Sequence, residues 1–72
     1  MKKPLFNIGE IIFYYNKWNN EIEKGEITNI RESKYTWDYT IRYYIYSDLI
    51  YSHWIEEKHI GRDEQILFKF LV

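Results

Sequence analysis

Apolar and polar residues alternate with a period of two along most of this chain, the spacing of half-buried strands. Ile11 to Tyr15 is the first such stretch. Ile12 and Tyr14 share one face, with Ile8 in phase, while Ile11, Phe13 and Tyr15 share the other. Both faces are apolar, which predicts a central strand or one covered on its outer side. Glu26 to Arg31 is shorter and amphipathic. Gly25 ahead of it predicts a bulge, or a bend where a β-carbon would clash. Tyr35 to Tyr46 is the longest stretch. Tyr39, Ile41, Tyr43 and Ile45 face one way, and Thr40, Arg42, Tyr44 and Tyr46 the other. Ile50 to Ile55 predicts a further strand.

Between these lie the turns Asn16 to Asn20, Glu32 to Lys34 and Ser47-Asp48. Glu56 to His59 fits one tight helical turn. The tail has two readings. From Asp63 as a cap, Ile66, Leu67, Phe70 and Leu71 form a helical stripe. As a strand, Ile66, Phe68, Phe70 and Val72 alternate. Asp63-Glu64-Gln65 is the better helix start, so a short helix is expected. Four or five short strands with closely spaced turns predict one domain over residues 1–72, a small and strongly bent antiparallel barrel.

Composition sharpens this picture. Eight Tyr, four Phe and three Trp stand among 72 residues. A domain this small hides only about 60% of the surface its unfolded chain exposes. One core cannot hold all these rings and the isoleucines as well, so some aromatic surface is expected to face solvent or a partner. There is no cysteine, hence no disulfide and no thiolate metal site.

Ten Lys and Arg oppose eleven Asp and Glu, for a net charge of −1. That balance disfavours a nucleic-acid binder, which needs a basic excess. No stretch reaches the roughly 18 apolar residues of a membrane span. The basic start at Lys2-Lys3 is followed by Asn7, Gly9 and Glu10, which break the apolar run of a signal peptide. A cytoplasmic location is expected.

The segments Phe6 to Ile12 and Lys24 to Ile30 resemble the opening of small SH3-like barrels. A Gly-acid pair, Gly9-Glu10, precedes the inward aliphatic Ile12. A Gly-x-Ile pattern, Gly25 and Ile27 with Ile30 behind it, opens the second strand. Tyr39 to Tyr43 and Ile55 to Ile60 continue the likeness. The resemblance implies a mainly β, SH3-like barrel of four to five strands with a short C-terminal helix. It is similar to small proteins of bacteriophages of Gram-positive bacteria. Some of those inhibit a host protein, such as the replication sliding clamp. The resemblance implies no catalytic residue.

The residues themselves offer little chemistry. His53 and His59 are the only histidines, and a strand followed by a turn need not aim both at one metal. Ser52 and His53 are adjacent on a predicted strand and face opposite ways, which defeats a hydrolytic triad with Asp48. No enzyme, cofactor or metal site is expected. A partner-binding surface is expected at Trp18, Trp37, Arg42, Tyr44, Tyr46 and Trp54, because large semi-rigid rings and arginine dominate interface energies. The expected partner is a host protein, with a homodimer taking up part of the surplus. The alternatives are a single-stranded nucleic-acid binder, using Lys17, Lys34 and Arg42 between stacking rings, and an obligate homodimer with a structural role.

Overall fold

A computed structural model describes residues 2–45 and 48–72, with the side chains of all of these except Tyr44 and Ile45. Six strands form one sheet: β1 (Ile11–Asn16), β2 (Glu21–Glu32), β3 (Trp37–Ile45), β4 (Asp48–Tyr51), β5 (Ile55–Glu56) and β6 (Ile60–Gly61). A 3-10 turn, Glu57–His59, joins β5 to β6, and a 3-10 helix, Glu64–Phe70, follows. All ladders are antiparallel.

The strands run in the order β4-β3-β2-β1-β6, with β5 pairing β3 off that path. This corrects two expectations. Among the described residues there are six strands rather than four or five, and the sheet does not close into an SH3-like barrel. The reason lies in β5 and β6, which hold two residues each. The chain passes from β3's neighbour to β1's neighbour through the covalent 3-10 turn, and among the described residues no ladder joins β6 to β4.

The alternation read from the sequence places the core well. Ile12, Tyr14, Ile27, Tyr39 and Ile41 are buried together with Phe6, Ile55 and Ile60. Ile30, Trp37 and Tyr43 pack against them half-buried. Each fully buried aliphatic or aromatic side chain is worth about 1.5–3 kcal/mol. Ile8, in phase with Ile12, is instead exposed because the turn at Asn7–Glu10 breaks the strand before it.

Ile27 and Ile30 are an odd number of residues apart, yet both reach the core. A register shift between Ile27 and Asn29 leaves Thr28 as an extra residue and restores the phase. The bulge is therefore three residues beyond Gly25. Gly25 serves the other purpose: a β-carbon there would lie 2.5 Å from the Arg42 carbonyl oxygen and 2.6 Å from Ile41 Cγ2.

The predicted strand Ile50 to Ile55 is split. Its middle is interrupted by Ser52, whose hydroxyl accepts the Ile41 N–H at 2.8 Å and donates to the His53 carbonyl at 2.7 Å. A side chain thus supplies the acceptor a ladder carbonyl would have given, and β4 ends.

Asp63 caps the tail helix as expected, accepting from the Gln65 N–H at 3.0 Å. The helix is 3-10 throughout. Its period of three brings Leu67 and Phe70 onto the sheet and leaves Ile66 and Leu71 largely exposed. No helix among the described residues is long and apolar enough to cross a membrane.

Candidate functional site

The β1–β2 hairpin turns through Lys17 to Asn20. Asn20 takes a left-handed backbone (φ 54°), which asparagine tolerates. Its side-chain oxygen accepts from the Tyr15 hydroxyl at 3.0 Å and the Val72 N–H at 3.2 Å, while its amide donates to the Val72 carbonyl at 3.1 Å. The hairpin tip is thereby tied to Val72, behind the tail helix. Trp18 rides on this tip, 60% exposed, with its ring 5.0 Å from that of His53.

Beneath Trp18 opens a cleft of about 350 Å³ between the hairpin and the β4–β5 segment. Tyr14, Tyr43 and Ile55 form its floor, and Ile50, Tyr51, Ser52 and His53 its far wall. Among the described residues no Lys, Arg, Asp or Glu lines it. The floor is rigid. The Tyr14 and Tyr43 rings lie 6.0 Å apart. The Tyr14 hydroxyl donates to Glu23 at 2.5 Å, so its oxygen is satisfied out of water. Burial first, and then the Glu23 carboxylate, raise the Tyr14 pKa far above that of a free tyrosine.

On the other side of Trp18 is a narrow crevice shared with Trp54, Tyr15 and His59. The Arg31 guanidinium covers the Trp54 ring at 4.2 Å and is held there by Asp38 at 3.3 Å. His59 stands edge-on to Tyr15 and Phe70, with ring separations of 5.6 and 4.8 Å. Burial lowers its pKa, against an opposing pull from Glu56.

Of the six residues expected at a partner surface, the structure brings two together. Trp18 and Trp54 flank the crevice. Trp37 lies elsewhere, in a separate groove with Lys2, Lys3, Leu5 and Tyr35. Its indole N–H donates to the Lys2 carbonyl at 2.6 Å and its ring packs on the core, so it anchors the N-terminal segment. Arg42 is on the outer face of the sheet and pairs with Glu26 at 2.7 Å. Hydrogen bonds that its guanidinium donates to Glu26 and then to Tyr51 hold it above the usual arginine pKa. Tyr46 and the Tyr44 side chain lie outside the described residues.

Sequence reading missed Tyr43, Ile50, Tyr51 and His53 as cleft residues. Alternation puts Tyr43 on the core face, which is also the face the cleft opens onto. Alternation runs Tyr51 and His53 along one continuous strand and carries no sign of the break at Ser52 that brings His53 against Trp18. Among the described residues no group of three or more His, Cys, Asp or Glu is arranged to hold a metal ion.

No family model, curated protein or solved structure matches the chain.

Proposed function

We propose that this chain is a non-catalytic protein-binding module, and that the cleft under Trp18 receives an apolar side chain of its partner. One observation carries the reading: a cleft of about 350 Å³ with tyrosines at its base, no charged side chain among its described lining residues and a largely exposed tryptophan at its mouth. A loop tryptophan left in water forgoes the burial energy a large apolar side chain can gain, about 1.5–3 kcal/mol. Partner contact recovers it. A site with no lining cation favours a neutral side chain over a phosphate backbone, which supports the protein reading over the nucleic-acid one.

Replacing Trp18 with a photoreactive p-benzoyl-phenylalanine tests this. Irradiation in cell extract is expected to crosslink a protein in one-to-one ratio. Excess unlabelled wild type should compete the product away, and a Trp18→Ala/Trp54→Ala double variant should not. Equal competition by both chains would reject the site, and labelling of nucleic acid instead would reject the function.

A further inference from the structure

We infer that β4 is a docking edge, to which an extended segment of the partner protein adds as a further strand while one of its apolar side chains fills the cleft. The inference rests on the cleft being the binding site and adds the backbone conformation of what binds there.

The ladder between β3 and β4 fixes which backbone groups are free. Ser52 N–H donates to the Ile41 carbonyl at 2.8 Å. In the same register Tyr43 faces Ile50 and Ile45 faces Asp48, while Arg42 faces Tyr51 and Tyr44 faces Leu49. Antiparallel pairs alternate between bonded and non-bonded. Ser52, Ile50 and Asp48 therefore bond to β3, and Leu49 and Tyr51 turn their N–H and C=O groups away from it. Among the described residues no strand pairs with that side of β4.

Edges of natural sheets are guarded by proline, lysine or a bulge. Asp48-Leu49-Ile50-Tyr51 has none of these, its only guards being the charge of Asp48 and its own shortness, and both Leu49 and Tyr51 expose their side chains. The edge also runs along the rim of the cleft, since Ile50 and Ser52 line it. A strand laid on β4 would hang alternate side chains over that opening. Backbone amides and an uncharged cleft together select a peptide with an apolar residue opposite Ser52.

A second copy fits less well. In the one self-pairing that engages the whole of β4, centred on Ile50, Asp48 of the added copy falls opposite Ser52. That sets a carboxylate over a cleft lined by no cation.

The test uses a random decapeptide library displayed on phage and selected on the whole chain, followed by calorimetric titration of an enriched peptide in soluble form. Leu49→Pro removes only an outward N–H, so the β3 ladder survives while the docking donor is lost. Binding is expected to weaken about tenfold or more in Leu49→Pro and likewise in Trp18→Ala. The peptide should also slow amide hydrogen exchange at Leu49 and Tyr51. Wild-type affinity in Leu49→Pro with loss in Trp18→Ala would leave the cleft standing and overturn the edge. Wild-type affinity in both variants, or no enriched peptide, would overturn both. Should Leu49→Pro fail to fold, N-methylation of alternate peptide nitrogens replaces it; undiminished binding of every methylated peptide would refute strand addition. A dimer of the wild type that Leu49→Pro dissociates would make the occupant a second copy and overturn the proposal.

Discussion

Gly25→Ala puts the central packing of the sheet to a direct test. The new methyl would sit 2.5 Å from the Arg42 carbonyl oxygen, 2.6 Å from Ile41 Cγ2 and 3.3 Å from the Arg42 carbonyl carbon. Restoring an ordinary separation of 3.4 Å to the oxygen means moving β2 and β3 apart by 0.9 Å. Two of the three obstructing atoms are backbone, so no rotamer change clears them. Overpacking of this kind costs about 1–3 kcal/mol. Against it stands the loss of unfolded-chain entropy, which favours alanine by about 0.4–1 kcal/mol. The net expectation is a loss of about 1–2 kcal/mol, or a fall in melting temperature of about 4–16 °C for a domain of this size. Urea denaturation followed by tryptophan fluorescence would measure it. Adding Ile41→Leu removes the γ2 methyl but leaves the carbonyl, so it should recover only a minor part. A Gly25→Ala chain as stable as wild type would refute the close approach of β2 and β3. Full rescue by Ile41→Leu would show that the side chain, not the backbone, set the limit.

Four further outcomes are expected. Burial, aided by Glu23 and Glu57, raises the Tyr14 and Tyr39 pKa values above the ordinary 10.0. The unfolded chain then releases these protons first, so stability is full below about pH 10 and falls as pH rises; urea titrations at pH 8, 10 and 11 should show the loss, and Tyr14→Phe should lessen it. His59 has the opposite sign. Burial lowers its pKa below 6.5, so its contribution is present above about pH 6.5 and is lost as pH falls; thermal melts of His59→Leu at pH 7 and pH 5 should differ less than those of wild type. Asn20→Ala should cost about 1–2 kcal/mol through the left-handed backbone and the lost bonds to Tyr15 and Val72, and Asn20→Gly, which relieves only the backbone, should cost less in the same assay. Trp37→Ala should lower the melting temperature, because that ring packs on the core and holds Lys2, whereas Trp18→Ala should leave the melt nearly unchanged.

Alternation was enough to find β1, β3 and most of the core, because each of those positions is decided by one period and one face. Where two segments cooperate, the sequence was mute. Ile27 and Ile30 conflict by simple alternation, and only the extra residue at Thr28 reconciles them. Gly25 signalled a special position, but not that a carbonyl on another strand was the cause. Barrel closure depended on the length of the last two strands, and two-residue pairings leave no periodic trace. The candidate site shows the same division. Trp18 was legible as a loop ring in need of cover. That His53 lies beneath it, and that Trp37 is spent on the N-terminal segment, are facts of tertiary contact with no local signature.

The clasp between Asn20 and Val72 joins positions 52 residues apart. The β1–β2 hairpin is local in sequence and can form within about 1–10 μs. Its tip, however, finds the Val72 N–H and carbonyl only when the segment behind the tail helix docks. Completion of the rim that carries Trp18 is thus coupled in time to docking of the tail. A refolding experiment should see the sheet appear first and the Trp18 environment mature afterwards. A chain shortened at its C-terminal end would assemble the sheet and yet present its tryptophan on an unfastened loop.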